Sequence, residues 1–72
     1  MSKITYSIQI VSKLTDISIF TLRTWEKRYK FVVPKRHENG RREYSEEDVE
    51  TLWLLGDLVK LGFSIGKLAT YK

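Results

Sequence analysis

Apolar residues recur at helical spacing in four stretches of this 72-residue chain, separated by short polar or turn-forming breaks. Ahead of the first stretch, Ile4-Thr5-Tyr6 is β-prone and long enough to pair with one other edge. Ser7 then offers a helix N-cap, and Tyr6 is placed to staple against Val11. Ile8, Val11 and Leu14 share a face bordered by Ile10, while Gln9, Ser12 and Lys13 point to water. The pattern predicts a helix of about two turns, ending at Thr15-Asp16. A second helix, over about 19–29, follows Ser18, whose hydroxyl can accept from the N–H of Phe20 or Thr21, with Ile17 stapled on Leu22. Leu22, Trp25 and Tyr29 form its buried stripe, and Phe20, Thr21, Arg23, Thr24, Lys27 and Arg28 take the opposite face. Two short helices on so tight a connection predict a helix-turn-helix, a local pattern that a plain αα-hairpin shares.

Beyond Tyr29 the periodicity breaks. Lys30 falls where a helix prefers a left-handed glycine, Phe31-Val32-Val33 is an apolar landing, and Pro34 forbids further helix. Lys35-Arg36-His37 and Arg41-Arg42-Glu43-Tyr44 flank Glu38-Asn39-Gly40. Asn-Gly predicts a hairpin with a type I′ turn, both residues at positive φ, whose base is tied to the core by Tyr44 and the Ile4–Tyr6 segment. Ser45 caps a third helix, with Asp48 as the reciprocal acid of a capping box and Glu46 and Glu47 at the positive end of the dipole. Its apolar residues, among them Val49, Leu52, Trp53, Leu54, Leu55 and Leu58, wrap too widely for one-sided burial. Part of this surface is expected against the first two helices, with Leu52 and Trp53 joining Leu22 and Trp25 in the core, and part against the next helix or another chain. Gly62 predicts a Schellman stop with Phe63 reaching back to Leu58, and Ser64 opens a last short helix with Ile65 and Leu68 inward. The fold class is therefore mainly α with a small β-hairpin: a helix-turn-helix, a two-stranded wing and two further helices.

Charge sharpens the picture. The chain carries +4, yet eight of its thirteen Lys/Arg and only two of its nine acids lie between Arg23 and Arg42. A helix that buries aromatics and turns Thr and Arg outward, followed by a basic hairpin that core formation does not explain, suits a polyanionic duplex. With no cysteine there is neither disulfide nor thiolate metal site, and no apolar run approaches the roughly 20 residues of a membrane span. A protein of the cytoplasm is expected. No nucleophile–base pair or Gly-rich phosphate loop supports an enzyme, and the Glu46–Asp48 cluster is a helix start rather than a catalytic site.

Together these residues form a resemblance. Tyr6-Ser7-Ile8 through Leu14, Thr21-Leu22-Arg23-x-Trp25-Glu26-x-Arg28-Tyr29, Pro34-x-Arg36, Asn39-Gly40-x-Arg42-x-Tyr44-Ser45 and Leu61-Gly62-Phe63-Ser64-Ile65 are similar, in order and spacing, to the DNA-binding domain of the MerR family of transcription regulators. The form of the second helix most resembles the branch with the cobalamin-dependent, light-responsive repressors CarA, CarH and LitR and the MlrA-like regulators. The resemblance implies a winged helix-turn-helix with the second helix in the major groove and the wing, about 35–44, on the backbone or minor groove. Many relatives have Tyr at Thr24, Gly at Asp16 and Lys30, and an apolar residue at Glu43. The family's dimerisation helix and effector domain, where metals, drugs or cobalamin bind, are expected to be absent from residues 1–72. These residues are expected to form one DNA-binding domain with no cofactor of its own, either cut from a longer protein or free-standing, a monomer or weak self-associator by itself and a dimer or higher assembly at full length.

Arg23, Arg28, Arg36, Arg41 and Arg42 are the expected phosphate contacts, with Lys27 beside them, because guanidinium forks fit phosphate oxygens. Phe20, Thr21 and Thr24 are the expected base-edge readers. Trp25 belongs first to the core, with an N–H able to donate to a phosphate, and Glu26 is expected to hold a neighbouring arginine. His37 is a groove-rim contact or simply exposed, since one imidazole without cysteines builds no metal site. The function expected is sequence-specific binding of a double-stranded operator in transcription control, with RNA polymerase or an acidic antirepressor as further partners. The competing reading is a protein-interaction or excisionase-like accessory module using the same basic face.

Overall fold

The computed structural model describes residues 4–70. Helix α1 spans Ile8–Thr15 and α2 Ile19–Arg28, a hairpin pairs β1, Lys35–Arg36, with β2, Arg42–Glu43, and α3, Glu46–Lys60, precedes a single turn α4, Ile65–Leu68. The mainly helical winged helix-turn-helix is thus the observed architecture.

Local chemistry explains the boundaries. The Ser7 hydroxyl accepts from the Ile10 N–H at 3.3 Å, and that of Ser18 from the Thr21 N–H at 3.1 Å. Ser45 and Asp48 close a capping box, each side chain accepting from the other's backbone N–H. Asp16 and Lys30 end α1 and α2 in the left-handed region, at φ 60° and 54°. After α3 the Phe63 N–H reaches the Leu58 carbonyl and the Gly62 N–H that of Val59, the paired bonds of a Schellman motif. Ser64 precedes α4 but makes no side-chain cap.

The core joins Ile8 and Val11 of α1, Ile17 of the turn, Leu22 and Trp25 of α2, Val32, Tyr44, and Leu52 and Leu55 of α3. Two expectations are corrected here. Leu14 is 53% exposed, and Thr15 is buried instead, its hydroxyl satisfied by the Val11 carbonyl at 2.7 Å. Helix α1 therefore buries positions 8, 11 and 15, the face that α3 covers. Trp53 is 57% exposed and lies outside the core, because α3 turns Leu52, Leu55 and Gly56 inward. Tyr29 is only half-buried, its ring tilted 38° against that of Phe31 with centroids 5.7 Å apart.

The hairpin is also tied as expected, but its turn differs. Tyr6 and Tyr44 exchange both backbone hydrogen bonds at 2.9 Å, fixing the wing's base to the N-terminal segment. At the tip, the Gly40 N–H donates to the His37 carbonyl and the His37 N–H to the Arg41 carbonyl, both at 2.9 Å. Gly40 alone takes positive φ, 86°, so the loop is Glu38-Asn39-Gly40, a three-residue hairpin connection rather than a type I′ turn. Asn39 contributes through its side chain, whose Oδ1 accepts from the Arg41 N–H at 3.1 Å.

Candidate nucleic-acid interface

Helix α2 presents its outward face beside the hairpin, and one carboxylate joins the two. Arg42 Nε donates to Glu26 Oε1 at 2.7 Å, and Arg36 NH2 lies 3.6 Å from Glu26 Oε2. One acid on α2 thus orients an arginine from each strand of the wing, a closer version of the pairing expected of Glu26. The two arginines are not equivalent. The Arg42 side chain is 18% exposed, about like Glu26, whereas Arg36 is half exposed and also donates weakly to the Gly40 carbonyl. A groove of about 740 Å³ runs between α2 and the hairpin, lined by Arg23, Lys27, Lys30, Val33, Arg36 and Arg42 together with Glu26. A smaller hollow joins Arg23, Gly40, Arg41 and Arg42 to Ser7 and Gln9 at the start of α1.

Among the described residues Arg23, Lys27, Arg28 and Arg41 are exposed and form no ion pair with an acid. Phe20 is 78% exposed on the same face. Thr21 and Thr24 are half-buried, Thr21 accepting from the Ser18 hydroxyl at 2.9 Å and Thr24 donating to the Phe20 carbonyl at 2.9 Å. Trp25 stands apart from these residues. It is 7% exposed, with its ring edge-on to Phe31 at 6.4 Å, so its ring belongs to the core beneath the face.

His37 is exposed at the wing's shoulder, with Nε2 2.9 Å from Glu43 Oε1. A hydrogen bond from the Thr5 hydroxyl, foremost, holds the Glu43 carboxyl below its ordinary range against partial desolvation, helped by His37 and Lys35. Beneath the wing, burial pushes the Tyr44 phenol up, with the Glu26 charge adding to the effect, and its hydroxyl finds no hydrogen-bond partner among the described residues.

Lys30, Val33, Ser7 and Gln9 join this surface without a sequence motif that marks them for it. Lys30 follows from the left-handed turn that swings it out of α2, and Ser7 and Gln9 from the Tyr6–Tyr44 pairing that brings the start of α1 beside the wing. No helix among the described residues is long and apolar enough to cross a membrane.

Comparison with known proteins matches this geometry. The chain is 35% identical over 69 residues to the HTH-type transcriptional repressor CarH of Myxococcus xanthus, a match covering 96% of this chain and 23% of that protein. It is 30% identical over 63 residues to the HTH-type transcriptional regulator MlrA of Escherichia coli, covering 88% and 26%. The crystal structure of HiNmlR, a MerR family regulator lacking the sensor domain and bound to promoter DNA, superposes with a TM-score of 0.82 at 28% identity, over 94% of this chain and 52% of that one. The chain spans less than half the length of the curated relatives it matches. CarH and MlrA belong to the branch that the form of the second helix pointed to, and these relatives are regulators of transcription. Residues 6–72 match the model of the MerR HTH family regulatory proteins, and the chain belongs to that family.

Proposed function

We propose that this chain binds double-stranded DNA sequence-specifically to regulate transcription. Helix α2 enters the major groove with Phe20, Thr21 and Thr24 toward the base edges, and the hairpin lies on the backbone or in the minor groove. Arg23, Lys27, Arg28, Arg36 and Arg41 hold phosphates, while Arg42 reaches one with the part of its guanidinium that Glu26 leaves free. His37 stands at the groove rim. The carrying observation is the Glu26 carboxylate, which fixes the wing's arginines beside a helix face whose own cations have no acidic partner among the described residues. The promoter-bound HiNmlR, sharing the fold at 28% identity, supports the reading.

The chain acts in the cytoplasm as a binding module without catalysis of its own. One copy covers one half-site, and two copies joined in a longer protein cover a pseudo-palindrome, where RNA polymerase or an acidic antirepressor meets them. Hydroxyl-radical footprinting on a duplex selected from a random library tests the reading. Protection of both strands across about one helical turn, with flanking protection by the wing, is expected. Capture of a protein with no duplex protected at any salt concentration would favour the accessory-module reading instead.

A further inference from the structure

The outward face of α2 begins with an apolar pair. Phe20, 78% exposed, is the second residue of the helix after its Ser18 cap, and Thr24 follows one turn later on the same face. Residues at the start of such a helix are the ones that reach base edges. The Thr24 side chain does not offer a free donor there. Its one hydroxyl proton is given to the Phe20 carbonyl at 2.9 Å, a back-bond that commits the donor to the helix and leaves the methyl as the group with no competing partner. Around this pair the face is cationic, with Arg23 and Lys27 exposed on one flank and Arg28 on the other. An aromatic ring and a methyl group ringed by cations match a polyanion that carries isolated apolar groups. In the major groove that group is the 5-methyl of thymine, the one apolar feature on the base-pair edges.

We infer that Phe20 and Thr24 read thymine by its methyl group, so that part of this chain's base preference is apolar rather than hydrogen-bonded. The inference rests on the DNA-binding reading above. Thr21 has the complementary role. Its oxygen accepts from Ser18, so its own proton is free to donate to a base acceptor at a neighbouring position.

The test uses the full chain and a duplex selected from a random library, compared with duplexes in which single thymines are replaced by deoxyuridine. That exchange removes the methyl and keeps every hydrogen-bonding group. At one or two positions deoxyuridine is expected to weaken binding about fourfold, the equivalent of ~0.8 kcal/mol for one buried methyl. In F20A the loss at one of those positions should vanish. T24V, which keeps the methyl and loses the hydroxyl, should retain the sensitivity to deoxyuridine at the other position, whereas T24S, which keeps the hydroxyl and loses the methyl, should lose that sensitivity. Phe20 is exposed, so F20A should melt with the wild type, and circular dichroism confirms that the variants fold.

Indifference to deoxyuridine at every position, or T24S keeping that sensitivity while T24V loses it, would overturn the inference and leave DNA binding intact. Equal affinity for all duplexes would overturn it too. Absence of binding to any duplex at low salt would instead overturn the reading on which it rests.

Discussion

Arg42 of the hairpin donates to Glu26 of α2 at 2.7 Å, and both side chains are more than four-fifths covered. A wing held only at its base by the Tyr6–Tyr44 bridge could swing; this second tie, made from the side of α2, fixes the angle between α2 and the wing. Removing one partner leaves the other charge half-desolvated, a loss of about 1–2 kcal/mol for a hydrogen-bonded ion pair of this exposure.

Arg41 and Arg42 should therefore behave differently, although they are neighbours with the same side chain. R41A removes an exposed cation, so the slope of log affinity against log salt should flatten by roughly one, with unchanged melting. R42A should flatten the slope by no more than that and also lower stability by about 1 kcal/mol, because Glu26 loses its closest partner. Salt titrations beside denaturant melts measure both. Identical behaviour of the two variants would remove Arg42 from its structural role.

The hairpin tip makes a second contrast. Gly40 needs its positive φ of 86° and has open space where a side chain would go, so G40V is strained by backbone conformation alone, about 1–2 kcal/mol. Asn39 needs no special backbone, and N39A gives up only the hydrogen bond to the Arg41 N–H, about 0.5–1 kcal/mol. Duplex affinity should fall more than stability in G40V, since Arg36 and Arg41 flank the tip. Equal effects of the two substitutions would restore the type I′ turn that the Asn-Gly pair predicts.

Much of this was legible in the sequence, for reasons that can be named. Ser18, the Ser45–Asp48 box and Gly62 act within a few residues of themselves, so their geometry follows from local chemistry. Leu14 and Trp53 went astray because two periodic positions compete for each buried face, and only the packing of α1 on α3 decides between them. The turn type eluded the Asn-Gly rule because the loop length is set by the His37–Arg41 closing pair. Glu26 was recognisable as an arginine's partner, but nothing in the sequence says that it serves Arg36 and Arg42 on separate strands.

Acid should loosen the wing's contact with the N-terminal segment. The Glu43 carboxyl is held below its ordinary 4.5, first by the Thr5 hydroxyl, so its ionised form is the one that folding favours. That contribution is complete above 4.5 and is lost as pH falls through the lower folded value. E43Q should consequently be less stable than the wild type at neutral pH, and the gap should close in acid. A gap that is constant down to pH about 3 would contradict the Thr5 contact.

Packing of α3 on the turn between α1 and α2 can be tested at Gly56. A Cβ there would stand 3.1 Å from Ile17 Cδ1 and 3.3 Å from Cγ1. G56L has no room and should destabilise by about 1–3 kcal/mol, whereas in G56A the gain of up to ~1 kcal/mol in helix propensity offsets the small displacement of Ile17. Thermal melts of the two variants that coincide would mean that α3 sits farther from Ile17.

In the DNA-binding reading proposed above, Glu26 holds the wing and α2 in the geometry that tells one duplex from another, and E26Q separates that geometry from charge. The substitution takes one negative charge off a cationic face, so electrostatics alone would strengthen binding to every duplex. Fluorescence anisotropy on a selected duplex and on a scrambled one, at two salt concentrations, separates charge from geometry. E26Q should bind the scrambled duplex as well as or better than the wild type does, while its preference for the selected duplex falls by about tenfold, or ~1.4 kcal/mol. An E26Q protein that binds both duplexes more tightly in equal measure, with its preference intact, would contradict it.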